Sequence, residues 1–100
     1  MWGPYPPGHF SHPSRGTEWE RKLVRGQQYR VVKSFVDFDA AEHPAGETWY
    51  FIGSNFLPYD DGLSLFVADD DQQQWHIRLC WRTDQQGEIC EHFAEYVQPI

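Results

Sequence analysis

Apolar and polar positions alternate with period two over most of the chain after Gln28, and that period predicts strands. Tyr29, Val31, Lys33 and Phe35 alternate with Arg30, Val32, Ser34 and Val36, which gives a first strand covered on both faces. A second strand is predicted over Thr48–Gly53 and a third over Leu63–Ala68. An aromatic loop with Pro58 and an Asp61-Gly62 turn joins them. The cleanest alternation lies in Gln74–Arg82, where Trp75, Ile77, Leu79 and Trp81 face one way and His76, Arg78, Cys80 and Arg82 the other. After Gly87 the apolar spacing relaxes to Ile89, Phe93 and Tyr96/Val97, which suits helical turns leading into a brief last strand at Tyr96–Gln98.

Two segments break this rhythm. Residues 1–16 hold four prolines and three glycines among aromatics and histidines, so they read as an extended or polyproline-like arm. Thr17 stands three residues before Glu20, a capping-box spacing, and Gly26 closes the segment, so a short helix is predicted within 17–26. Residues 27–100 then form one domain. Its order of strand, long loop, strand, loop, strand, tight turn, strand, helical turn and short strand predicts a mostly β fold, a small antiparallel SH3-like barrel or curled sheet. An open sheet with the terminal helix packed on it is the competing architecture.

One hundred residues, 40% of them apolar, suffice for one compact domain with a modest core. The net charge of −7 is unevenly spread: residues 1–36 carry six basic and two acidic side chains, the remainder two and thirteen. Such an acidic main body repels phosphate backbones, which argues against nucleic acid and favours a basic protein surface or the chain's own arm as neighbour. Cys80 and Cys90 lack a Cys-x-x-Cys spacing, and no apolar run is long enough to cross a bilayer, which points to a soluble cytoplasmic protein with reduced thiols.

The motifs His43-Pro44-x-Gly46-Glu47-x-Trp49, Phe51-Ile52-Gly53, Phe56-Leu57-Pro58-Tyr59 and Asp61-Gly62-Leu63-Ser64-Leu65-Phe66, with Ile77-Arg78-Leu79-x-Trp81 and Gln86-Gly87-Glu88-Ile89, carry a family resemblance. The chain resembles a small bacterial family of unknown function over roughly Tyr29 to Val97, with the proline-rich arm as its own addition. That resemblance implies a soluble bacterial protein and supplies no catalytic residues.

The side chains themselves offer three kinds of chemistry. Trp49, Tyr50, Phe56, Tyr59 and Phe66, with Trp75 and Trp81, exceed what a core of this size ordinarily takes up. Trp49, Tyr50, Phe56, Tyr59 and Phe66 are therefore the candidate contacts of an exposed, acid-rimmed protein-binding surface. The arm, with Trp2, Tyr5, Pro6 and Pro7, would suit a cover over that surface, on its own barrel or on that of a second copy in an exchanged homodimer. This reading of a non-enzymatic interaction module requires no cofactor and no metal.

Asp37, Asp39, His43 and Glu47 offer an acid/base or hard-metal cluster instead, for which their convergence in space is the discriminating observation. The bland alternative is a rigid, solvated turn. Arg30, Lys33, Arg78 and Arg82 would serve a nucleic-acid-binding barrel. Asp60-Asp61 and Asp69-Asp70-Asp71 lack the register of a calcium loop and read as turns.

Overall fold

A computed structural model describes residues 1–9, 23–57, 62–80, 82 and 87–100, with the backbone alone for 55–57. Its elements are β1 (Trp2–Tyr5), β2 (Gln28–Val31), β3 (Phe35–Val36), β4 (Glu42–His43), β5 (Thr48–Leu57), β6 (Gly62–Ala68), β7 (Gln74–Cys80), α1 (Gly87–Glu91), α2 (Phe93–Tyr96) and β8 (Val97–Pro99). Among the described residues six strands form one antiparallel sheet in the order β1-β7-β6-β5-β2-β8, and β3 pairs with β4 in a separate hairpin.

The fold is mostly β and antiparallel, as the periodicity predicts, but the sheet does not close: β1 and β8 are its two edges. The SH3-like barrel is thus replaced by an open sheet with two short helices packed on it. Closure is forestalled because β1 adds to the free side of β7 and β8 to the free side of β2.

Register explains which residues enter the core. Phe51 pairs with Val67 and Val67 with Trp75, while Leu65 meets Ile77 and Leu63 meets Leu79. These residues share one face with Tyr29, Trp49, Val31 and Val97. Onto that face pack Leu23, Phe35, Cys90, Phe93 and Tyr96, which seal Phe51, Leu63, Leu65 and Ile77 completely. Each such side chain contributes about 1.5–3 kcal/mol on burial. Phe35 is the hub of the aromatic part, edge-on to Phe93 at 5.5 Å and to Tyr96 at 6.1 Å. A bulge between Phe51 and Gly53 lets β5 run on to Leu57, beyond the predicted end at Gly53.

Three further expectations change. Trp2–Tyr5, assigned above to a non-periodic arm, is an edge strand. Pro4 is tolerated there because an edge strand has a side that no neighbour needs. The first predicted strand is interrupted at 32–34, where the amides of Val32 and Lys33 turn to the Tyr96 carbonyl instead of β5. The acidic connection after it is a tight hairpin: Asp37 N–H donates to the Ala41 carbonyl, with Ala40 at φ 63°. The short helix predicted within 17–26 lies largely outside the described residues. At Arg25–Gly26 the backbone forms a turn, with Gly26 at φ 84° and its N–H donating to the Phe51 carbonyl.

Candidate functional site

The hairpin of β3 and β4 sets a line of ionic groups between the sheet edge and the core. Pairing of Phe35 with His43 stacks the two rings at 4.7 Å, and this fixes the imidazole plane. His43 Nε2 then lies 2.8 Å from Asp37 Oδ2, and Nδ1 lies 2.7 Å from Glu47 Oε2. Since both acceptors are carboxylates, both ring nitrogens donate, and His43 is an imidazolium. Trp49 Nε1–H also donates to Glu47 Oε2, at 3.3 Å. At the other end the Met1 ammonium sits 3.0 Å from Asp37 Oδ2. Two cations and two carboxylates thus balance one another.

Burial and hydrogen bonding compete in this cluster, and hydrogen bonding wins. Burial alone would push the His43 pKa down, but the bonds to Glu47 and Asp37 outweigh it and hold the value above the ordinary 6.5. Burial would likewise push Asp37 up, yet His43, the Ala41 amide and the Met1 ammonium bring it below the usual carboxylate value. Asp37 Oδ1 also accepts the amides of Asp39 at 2.9 Å and Ala41 at 3.0 Å, so the same carboxylate shapes the hairpin turn.

Asp37, His43 and Glu47 therefore converge, as an acid/base or metal site requires, but the result is closed to chemistry. His43 is 0% exposed and both its ring nitrogens are engaged by carboxylates, so neither is available to a reacting group in this arrangement. Among the described residues no group of three or more His, Cys, Asp or Glu side chains has the arrangement of a metal site. Asp39 does not reach His43; its carboxylate faces the Met1 ammonium at 3.9 Å and pairs with Arg78. Arg78 Nε donates to its Oδ2 at 3.0 Å, a second bond runs from Arg78 Nη2 to Oδ1 at 2.5 Å, and this fork holds its pKa low.

Around Arg78 the surface is aromatic. The Phe38 ring centroid lies 5.4 Å and the Trp2 centroid 5.7 Å from the guanidinium carbon, and the Trp2 indole N–H donates to Asp39 Oδ2 at 3.0 Å. Trp2 is 50% and Phe38 49% exposed. Beside them a cleft of about 210 Å³ is lined by Phe38, Ser64, Arg78 and Cys80 with Gly62, Leu63 and Leu79. The Phe38 N–H donates to the Arg78 carbonyl, which ties the hairpin to the outer edge of β7.

Of the five contacts read from the sequence, the three whose side chains are described do not form one patch. Trp49 is 4% exposed and belongs to the core, and Phe66 is 9% exposed and lies beside His76 at 5.0 Å. Tyr50, 36% exposed, stands over a shallow depression rimmed by Asp69 and Asp70. Tyr59 and the side chain of Phe56 lie outside the described residues. The basic set does not assemble either. Arg30 is on β2 and Arg78 on β7, three strands apart at about 4.8 Å per strand, and Lys33 rests over the Tyr96 ring.

Sequence reasoning missed Phe38 and the pairing of Asp39 with Arg78, 39 residues away. The alternation in β7 placed Arg78 on the face opposite the core, but nothing local named its partner. It also missed the ammonium, which no residue letter records.

The described residues define a small open-sheet domain with a cluster of ionic groups around the buried His43 and an exposed aromatic edge at Trp2 and Phe38. A family model described as a domain of unknown function (DUF3601) matches residues 11–100, and the chain belongs to that family. It is similar to a solved integron cassette protein from the mobile metagenome of Vibrio cholerae. The two are 41% identical, the match covers 78% of this chain and 86% of that one, and the TM-score is 0.74. No curated protein matches the chain. Among the described residues no helix is long and apolar enough to cross a membrane.

Proposed function

We propose that the protein is a non-enzymatic protein-interaction module, and that its contact surface is the edge where β1, β7 and the β3–β4 hairpin meet. The observation that carries this reading is the pair of half-exposed rings, Trp2 and Phe38, beside one guanidinium, with Phe38 and Arg78 lining a neighbouring cleft. Aromatic rings and arginine are residue types that anchor protein interfaces, the rings because they bring large area at small entropic cost and arginine because its planar guanidinium presents several donors in a fixed fork. Tyr50, with Asp69 and Asp70 at its rim, adds a second, smaller contact, and the chain's charge of −7 suits a basic partner.

The sealed imidazole supports this module over the acid/base alternative, because a base that no substrate reaches can only hold structure. The separated arginines and the acidic field weigh against a nucleic-acid binder. A reducing, cytoplasmic setting is part of this reading, in which Cys80 and Cys90 are buried side chains of the core region.

Affinity capture from a bacterial lysate tests the proposal, with wild-type, Phe38→Asp and Val24→Asp baits compared. Val24 is exposed and belongs to none of the residues lining the cleft, so it controls for surface charge alone. A stoichiometric partner held by wild type and Val24→Asp and lost by Phe38→Asp is the expected result. Equal recovery on all three baits would overturn it.

A further inference from the structure

We infer that the edge of β7, walled by Asp37 and Asp39, is a receptor groove for an extended peptide N-terminus that carries a free α-ammonium, an apolar first side chain and an aromatic second one. This rests on the interaction-module reading and gives its surface a ligand class. The chain's own Met1–Tyr5 fills the groove and shows what it accepts.

Four contacts define the fit. The Met1 ammonium lies 3.0 Å from Asp37 Oδ2 and 3.9 Å from Asp39 Oδ2. The Met1 side chain packs against the hydrophobic core. Trp2, on the opposite face, donates its indole N–H to Asp39 and lies beside Arg78. The backbone adds to β7 as an antiparallel strand, with Trp2 opposite His76 and Tyr5 opposite Gln74. Strand addition with capture of a terminal amine is a known mode of peptide recognition: the backbone supplies affinity and alternate side chains supply selectivity.

The site is built before its occupant arrives. Asp37 is buried and held by the Asp39 and Ala41 amides and by His43, so its carboxylate is already aimed at the groove. Acylation of the peptide would replace a charge facing two carboxylates with a neutral amide, and remove the strongest selective contact. The third position is also read. A Cβ at Gly3 would stand 2.8 Å from the Gln74 carbonyl oxygen and 2.8 Å from the Trp75 ring, and its φ of 140° disfavours any side chain.

The walls of the groove fall within the family match at 11–100, whereas the occupant, residues 1–5, falls outside it. Groove and occupant are separable pieces of sequence. A tethered occupant acts at an effective concentration of roughly millimolar order, so the arm competes with any peptide arriving from outside.

The test uses the full chain carrying Gly3→Val, which unseats the arm, and a labelled peptide of sequence Met-Trp-Gly-Pro-Tyr with a free or an acetylated amine. Fluorescence anisotropy reads binding. The free-amine peptide is expected to bind the variant about tenfold more tightly than wild type, and about tenfold more tightly than the acetylated peptide. Trp2→Ala, which removes a half-exposed side chain, carries the same titration should Gly3→Val not fold. Equal affinity of the two peptides would overturn the inference, as would no binding to a variant that keeps the wild-type circular dichroism and cooperative unfolding. A wild-type dimer on sedimentation that exchanges β1 between copies would assign the groove to a second copy and also overturn it. Failure here with capture still lost in Phe38→Asp sinks the groove alone, whereas capture indifferent to Phe38 sinks the interaction surface.

Discussion

Replacing His43 by phenylalanine probes the worth of the ionic cluster, because the new ring, though somewhat larger, is planar and aromatic and can keep the stack on Phe35. Both ring nitrogens disappear, so Asp37 loses the donor at 2.8 Å and Glu47 the donor at 2.7 Å. Breaking one side of a buried ion pair commonly costs about 3–5 kcal/mol. The lower end applies here, for two reasons. Asp37 keeps the Met1 ammonium and two backbone amides, and Glu47, partly exposed, regains water. We expect a loss of about 3 kcal/mol, or roughly 15 °C in Tm for a chain of this length. Urea unfolding at pH 6, followed by tryptophan fluorescence, measures it, and the m-value should not change. The double variant Asp37→Asn/His43→Phe should lose less than the sum of the single losses, since the two groups share one interaction. A loss below about 1 kcal/mol, or strict additivity, would refute the structural role given to the cluster.

The same cluster gives stability a definite pH dependence. His43 has a folded pKa above 6.5, so its contribution is complete below pH 6.5 and drains away as pH rises through the raised value. Unfolding at a series of pH values should show this decline in wild type and a flatter curve in His43→Phe. Asp37 works in the opposite sense: its pKa is lowered, so its contribution is complete above 3.8 and is lost as pH falls through the depressed value. Asp37→Asn should therefore remove part of the acid sensitivity measured in the same series. At the β6–β7 turn, Asp69 accepts the amides of Asp71 at 3.0 Å and Gln73 at 2.9 Å and the Trp75 indole at 3.1 Å. Asp69→Ala should cost about 1–2 kcal/mol in urea unfolding, and no loss would show that solvent replaces those bonds.

The central strands were legible because their pattern is local. Ile77 and Leu79 alternate with His76, Arg78 and Cys80, which declares their face, and β6 reads as a strand from its apolar run Leu63–Ala68 between turn residues. β1 was illegible because Gly3-Pro4 interrupts its period, and its pairing with β7 joins residues about 70 positions apart. The break at 32–34 was hidden too, since Val32 and Val36 keep the alternation while the backbone leaves the ladder. Convergence of Asp37, His43 and Glu47 was foreseeable from their closeness in sequence. Their closure was not, because it depends on Phe35 stacking over the imidazole and on an ammonium from the far end of the chain. Counting aromatic residues suggested a surplus; among the described residues Trp49 is taken into the core, while Trp2, Phe38 and Tyr50 are the exposed rings.

Hydrogen–deuterium exchange on the protein alone and with its captured partner locates the contact directly. Exchange should slow at Phe38–Ala41 and at Arg78–Cys80 when the partner is bound, with the paired strands β3 and β4 that flank that turn equally protected in both states. Protection confined to other strands, with the Phe38 and Arg78 segments unchanged, would contradict an interface at the β1–β7 edge.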